Sequence, residues 1–334
     1  MVFQKIWFVL WGVLWAVYFM LDGFDLGAGI LAPFLGRGEA RRAAVRSSIG
    51  PVWDGNEVWL VTAGGATFAA FPTAYARLFS DFYPAMLLIL FGLIFRGVSM
   101  EFRSKGESRG WRRLWDGGFF WGSLVPALLF GIAFGNLFRG LPLDAQGYHG
   151  GLLALLNPYG LLTGVLFVLL FIVHGSLWVS RKAGELEEAA LRLAGSVWYA
   201  LLAVAAGFVA WSALGTRLKD NYLAGPLWLS APILGVVSLA LVKVFISQKR
   251  PGAAFFFSCL TILFLVAAGL IGLYPNLIPS RLDPNYSLTI FNASSSAYTL
   301  KVMTIVALVF VPIVIAYQAW VYRVFRAKTD TAGY

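Results

Sequence analysis

The sequence predicts an all-α polytopic membrane protein, with about nine transmembrane helices forming two four-helix bundles plus one peripheral helix. Three observations predict it. Of the 334 residues, 59% are hydrophobic and 13% charged, and the mean hydropathy is +0.76; a soluble domain of this length could not hide so much apolar side chain. Apolar runs of about 20 residues, the length a helix needs to cross the hydrocarbon core, recur along the chain. The Lys and Arg residues gather in alternate connections between those runs, the pattern of cytoplasmic loops.

In order, the runs lie near 6–34, 52–72, 79–100, 115–137, 159–181, 196–215, 226–247, 253–274 and 299–324. The first follows Lys5 and ends in Asp22 and Asp25. It is too long and too acidic at its end for a cleaved signal peptide, so it reads as a spanning helix. The second is the least apolar, because Asp54, Glu57 and Gly64-Gly65 fall inside it; without it the charge alternation would break. Pro126, Pro232 and Pro312 are placed to kink the fourth, seventh and ninth. Four spans per half give bundles at 1–137 and 159–274 in the same orientation, with 299–324 as the ninth helix. Leu156-Asn157-Pro158-Tyr159 restarts the pattern, and Phe171-Ile-Val-His174-Gly175 echoes Phe19-Met-Leu-Asp22-Gly23.

Basic residues set the orientation. Arg37, Arg41, Arg42 and Arg46 follow the first run, and Arg96, Arg103, Lys105, Arg109, Arg112 and Arg113 cluster about the third connection. Arg181, Lys182 and Arg192 follow the fifth, Lys243, Lys249 and Arg250 the seventh, and Arg323, Arg326 and Lys328 form the tail. The opposite side has Lys5, Arg77, Arg139, Arg217, Lys219, Arg281 and Lys301. The N-terminus is therefore expected outside and the C-terminus in the cytoplasm. The net charge of +10 would suggest nucleic acid in a soluble chain; membrane anchoring explains it here, and no nucleic-acid partner is expected. Cys259 is the single cysteine and lies in an apolar run, so neither a disulfide framework nor a thiolate metal site is expected.

Chemistry concentrates where acids interrupt apolar sequence: Asp22 and Asp25 near the end of the first run, Asp54 and Glu57 at the start of the second. Each carboxylate costs roughly 2.5–3.5 kcal/mol near a helix centre on insertion scales, so such groups are expected inside a bundle, moving protons, binding ions or holding structure. Each pair is spaced i, i+3 and shares a helix face. Asp22 lies about 24 Å along the helix from Ile6 at 1.5 Å per residue, and the second helix starts inside. One four-acid cluster near the cytoplasmic face is therefore expected, open to protons from that side. Two roles stay open. Asp54 and Asp25 relay protons, with Glu57 and Asp22 tuning the path; or Asp54, just after Pro51, caps its helix while Asp22 or Glu57 pairs with Arg96 or another buried cation. Gly23, Gly27, Gly64 and Gly65 are expected at close helix contacts.

His149 and His174 are the only histidines. Paired histidines on facing helices are the commonest membrane haem ligands, and every haem site needs an axial ligand. A lone helical His reads as a packing residue, and Met20, Met86, Met100 and Met303 are weak alternatives, so no haem ligand is expected here. With no P-loop, dinucleotide turn or Cys pair, the chain is expected to serve a partner that carries the cofactors. A proton-coupled secondary transporter is the competing class, but it calls for a mid-membrane cavity and often an inverted repeat, whereas these acids lie toward one end and the repeat is parallel. A purely scaffolding subunit is the third class.

The stretches Asp22-Gly-Phe-Asp25-Leu-Gly-Ala-Gly29, Pro51-Val-Trp-Asp54-Gly-Asn-Glu57-Val-Trp-Leu-Val-Thr-Ala-Gly-Gly65, Phe68-Ala-Ala-Phe71-Pro72, Phe95-Arg96, Glu101-Phe-Arg103-Ser-Lys105 and Trp115-Asp116 are distinctive. So are Gly131-Ile-Ala-Phe-Gly135-Asn136, Leu156-Asn157-Pro158-Tyr159-Gly160, Asn292-Ala-Ser-Ser295 and Tyr298-Thr-Leu-Lys-Val-Met303. Over nearly its whole length the chain resembles subunit II, the smaller main subunit, of the cytochrome bd-type quinol oxidases. The resemblance implies an electrogenic complex of the bacterial cytoplasmic (inner) membrane that oxidises quinol, reduces O2 to water and sustains the proton motive force. It implies a larger subunit I that ligates two haems b and one haem d, a smaller subunit that supports it, and frequently a very small third subunit. In some members the smaller subunit holds a structural quinone. The resemblance matches Asp54 to an acid at the entry of a proton path and Asp25 to its companion.

Overall fold

The computed structural model describes residues 1–35 and 38–328; Arg37 of the first basic connection lies outside them. Thirteen α-helices occur among the described residues. The first six are α1 Val2–Leu35, α2 Glu39–Ile49, α3 Trp53–Ala70, α4 Pro72–Asp81, α5 Tyr83–Phe102 and α6 Arg109–Arg139. The rest are α7 Leu152–Leu155, α8 Pro158–Lys182, α9 Glu187–Gly215, α10 Lys219–Ala224, α11 Ser230–Ser247, α12 Pro251–Leu273 and α13 Ala297–Val324. Two small antiparallel hairpins, β1 Leu143–Asp144 with β2 Gly147–Tyr148 and β3 Asn276–Ile278 with β4 Leu288–Thr289, sit at the end of the bundle opposite the basic connections.

Eight helical segments among the described residues are long and apolar enough to cross a membrane: those containing α1, α5, α6, α8, α9, α11, α12 and α13. The span expected at 52–72 is α3, whose polar first turn leaves it short of that apolarity. It still traverses the bundle. Asn56 near its start meets Asp25, and Thr67 near its end accepts from Trp11 Nε1 at 2.8 Å, so α3 lies antiparallel along α1. The run expected at 79–100 begins at Tyr83 instead. Pro72 and Pro84 each fit the first turn of a helix, where no backbone donor is lost, and the buried joint Phe82 separates α4 from α5. The helix expected at 196–215 starts earlier, at Glu187, because Glu187 and Glu188 suit a helix N-terminus. The first basic connection is itself partly helical: α2 buries Ala44, Val45 and Ile49 in an apolar cluster with Phe24, Leu31 and Trp178.

The core lies where α1 and α6 meet α8. A Cβ on Gly27 would fall 1.9 Å from the Phe171 carbonyl oxygen, and one on Gly131 would fall 2.5 Å from the Thr163 carbonyl oxygen. Only glycine lets these backbones touch. Phe19 fits the same crossing, edge-on to Phe167 at 5.1 Å between ring centres. Gly64 and Gly65, by contrast, have no atom within 4 Å of a Cβ built on them. They make no close contact inside this chain, contrary to the expectation for that pair.

The last helix is held at its ends. Trp7 Nε1 donates to Leu300 O at 3.1 Å and Thr304 Oγ1 at 3.0 Å. At the basic end Lys182 Nζ donates to the Phe325 carbonyl. Between Thr304 and Gln318, which accepts from Trp59 of α3, α13 stands off α1 and α3 across a cavity of about 980 Å³, and of its described residues only Leu300 is buried.

Candidate functional site

Asp22 and Asp25 are both fully buried in α1. Three helical residues advance 300°, which leaves i, i+3 side chains about 60° apart around the axis. That offset sends Asp22 toward α5 and Asp25 toward α3. On α5, Arg96 is 1% exposed. Its Nη2 stands 2.7 Å from Asp22 Oδ1 and 3.0 Å from Glu57 Oε2. On α3, Asn56 Nδ2 donates to Asp25 Oδ2 at 2.7 Å. Tyr18, one turn before Asp22 and fully buried, brings its hydroxyl to the field of Asp22, Arg96 and Glu57. One guanidinium thus meets two carboxyl groups, with Asp25 one turn further along α1 in the same electrostatic field, and the three acids with Arg96 are charge-neutral only with two of the three protonated. Tyr18 OH, Asp25 Oδ1, Arg96 Nε and Arg96 Nη1 are buried without a hydrogen-bond partner among the described residues.

The expected four-acid cluster is therefore a three-acid cluster in this chain. Asp54 is exposed. Its 60° offset from Glu57 carries it past the edge of the buried face, and its carboxylate has no hydrogen bond or ion pair among the described residues. Nor does it cap α3: Val52 occupies the N-cap, with no side-chain cap bond. The pairing of Asp22 and Glu57 with Arg96, one of the two readings left open by the sequence, is present in the geometry.

A second ionic group lies just beyond the cluster, at the basic end. Arg103 donates from Nε to Asp116 Oδ1 and from Nη1 to Glu39 Oε1, each at 2.5 Å. Arg42 Nη1 and Arg46 Nη1 reach Asp116 at 2.8 and 3.1 Å. The hydrogen bond from Arg103 holds the Glu39 carboxyl below its usual range. Burial, and then the neighbouring Arg103, lower the Arg46 guanidinium to about 10. Membrane anchoring was the expectation for the basic residues Arg42, Arg46 and Arg103; they also tie α2 to the junction of α5 and α6.

His174 is fully buried, with Nδ1 2.6 Å from Ser258 Oγ, Nε2 2.9 Å from Met20 O, and its ring stacked on Phe255 at 4.7 Å. Both nitrogens are engaged, so taking a haem iron would break a buried hydrogen bond. His149, in the first hairpin connection, sits 2.7 Å from Asp144. This donor set does not fit axial haem ligation. Among the described residues no group of three or more His, Cys, Asp and Glu could hold a metal ion. Sequence reasoning missed Tyr18, Asn56, Gln318 and Tyr322. Asn56 lies between two acids in its own run and could have been noticed there; nothing local tied residues 318 and 322 to it.

The family model described as cytochrome bd terminal oxidase subunit II matches residues 3–325. Cytochrome bd-I ubiquinol oxidase subunit 2 of Escherichia coli (strain K12) is 40% identical, over 96% of this chain and 93% of that one. Cytochrome bd ubiquinol oxidase subunit 2 of Bacillus subtilis (strain 168) is 38% identical, over 98% and 97%. A chain of the bd oxidase structure from Geobacillus thermodenitrificans superposes with a TM-score of 0.80 over 97% of this chain and 99% of that one; at 17% identity it speaks to the fold. With a family model covering nearly every described residue and relatives matched end to end, the chain belongs to the cytochrome bd terminal oxidase subunit II family.

Proposed function

We propose that the chain works beside a haem-bearing subunit I in a quinol:dioxygen oxidoreductase, and that its buried acids take up cytoplasmic protons for the reduction of O2 to water. One observation carries this reading: two carboxyl groups share a single buried arginine, with the buried Asp25 one turn away, amid buried polar atoms that the chain leaves without partners. Such atoms are the places ordered water occupies, and carboxyls joined by water are a membrane proton route. Asp54 is the entry, at the start of α3; Asp25 is the next acceptor; Glu57 and Asp22 set the local charge through Arg96. With the N-terminus outside and the C-terminus cytoplasmic, the cluster lies in the inner half of the membrane. Proton uptake there, with release by quinol outside, separates charge and feeds the proton motive force.

The family's two haems b and haem d belong to subunit I in this reading and supply its electron transfer and oxygen chemistry. Asp54 shares an outward face with Val58, Val61 and Phe68, all more than half exposed. A carboxylate on such a face is costly against lipid, and subunit I is its proposed cover. The cavity under α13 is the proposed seat of a structural quinone: Leu14, Val17, Met303 and Phe310 offer an apolar trough for an isoprenoid tail, with Gln318 and Tyr322 as polar groups at one end. A very small third subunit belongs to the same proposal. So does the division into repeats at 1–137 and 159–274 with the helix at 299–324, supported by the meeting of Gly23 with Phe171 and of Gly27 with Gly175.

The test is Asp54→Asn and Asp25→Asn in the intact complex. Quinol-driven O2 consumption should fall in both while the haem spectrum stays that of the unaltered complex. Loss of haem along with activity would make these residues structural.

A further inference from the structure

Asn56 is fully buried at the centre of a hydrogen-bond chain that joins α1, α3 and α13. Trp59 Nε1 donates to Gln318 Oε1 at 2.7 Å. Gln318 Nε2 donates to Asn56 Oδ1 at 3.2 Å, and the Tyr322 hydroxyl donates to the same oxygen at 2.7 Å. Asn56 Nδ2 then donates to Asp25 Oδ2 at 2.7 Å.

The polarity of this chain is set by its fixed ends. An indole N–H can only donate, so Trp59 forces Gln318 to present its oxygen to the indole and its amide nitrogen to Asn56. Two backbone carbonyls, which can only accept, agree: Gly55 O lies 3.5 Å from Gln318 Nε2, and Leu21 O lies 3.4 Å from Asn56 Nδ2. Amide orientation is normally ambiguous; here a donor-only group at one end and acceptors along the way leave one arrangement. The consequence falls on Asp25. Its Oδ2 always receives an N–H, while its Oδ1 is buried with no hydrogen-bond partner.

We infer that Asn56, locked by Trp59, Gln318 and Tyr322, is a positioning residue that makes the two oxygens of Asp25 unequal, so that Asp25 takes and gives its proton through Oδ1 alone. No bond other than O–H forms or breaks: the proton arrives at Oδ1 and leaves from it, and Oδ2 keeps the carbonyl character. This deepens the relay reading above and rests on it. It also gives α13, otherwise thinly packed, a share in the acid site.

The test uses the intact complex and redox-difference infrared spectroscopy. The carboxyl C=O band of Asp25 is the one that Asp25→Asn removes. Asn56→Leu should move that band to higher wavenumber, because the carbonyl loses its donor, and should lower turnover with the haem spectrum unchanged. Trp59→Phe, which keeps the volume of a ring but frees Gln318 to turn over, should broaden or split the band. A band unmoved in Asn56→Leu, or identical to wild type in Trp59→Phe, overturns the inference even if Asp25→Asn is slow. Should Asn56→Leu fail to assemble, Trp59→Phe alone decides. The absence of any band lost in Asp25→Asn, with turnover intact, overturns the relay reading instead and takes this consequence with it.

Discussion

At the scale of single residues, the buried acids depend on Arg96. Its Nη2 is shared by Asp22 at 2.7 Å and Glu57 at 3.0 Å, at a position closed to solvent. Removing one partner of a buried ion pair leaves an uncompensated charge and costs about 3–5 kcal/mol. Arg96→Met should therefore lower the thermal inactivation temperature of the complex sharply, and adding Asp22→Asn should recover part of the loss. Arg96→Lys should retain more of the stability than Arg96→Met, because a single nitrogen, Nη2, meets both acids and an ammonium keeps the charge and can donate to two carboxylates. The presence of acids in apolar sequence was legible at this scale, and so was the Arg96 pairing as an option. The separation of Asp54 from the other three was not. Spacing i, i+3 says that two side chains share a face; it does not say where that face meets its edge.

Among elements, the contact of α1 with α8 and the clamp on α2 make distinct predictions. Gly27→Ala places a methyl group 1.9 Å from the Phe171 carbonyl oxygen, which neither backbone can yield without separating. The complex should assemble poorly, read as lost co-purification of haem. Gly64→Ala meets no atom of this chain within 4 Å. It should leave the chain's own stability unchanged or raised by up to about 1 kcal/mol, the helix-propensity difference. The α2 clamp is acid-sensitive in a defined direction. Glu39 is held below its ordinary value by the Arg103 hydrogen bond, so its contribution is complete above the unfolded carboxyl pKa, about 4.3, and fades as pH falls through the lowered folded value. Hydrogen exchange in α2 should quicken in that acidic window, and Glu39→Gln should show the faster exchange already at neutral pH. Helix identity was legible because the apolar runs are long. Helix ends were misjudged wherever polar or proline-bearing turns, as at Glu187 and Tyr83, extend or divide a run without changing its hydropathy much.

For the whole molecule, the surface is partitioned between lipid and partner. If the α3 face bearing Asp54, Val58 and Val61 lies against subunit I, a spin label at Val61 (73% exposed in the isolated chain) should be shielded from a lipid-soluble quencher in the complex. A label at Val237 on α11, 47% exposed, should not. Equal quenching would move the partner to another face. The sequence by itself determined the membrane-embedded helical class, the alternation of basic ends, the presence of acids near one end and the family, because length, hydropathy and charge are summed along the chain and need no partner in space. The tertiary structure alone decided which acids meet Arg96, that Gly64 and Gly65 are free of intramolecular contact, and that residues 318 and 322 complete the surroundings of Asp25. These outcomes rest on how helices far apart in sequence are rotated against one another, and a rotation of about 60° is enough to turn a buried carboxylate outward.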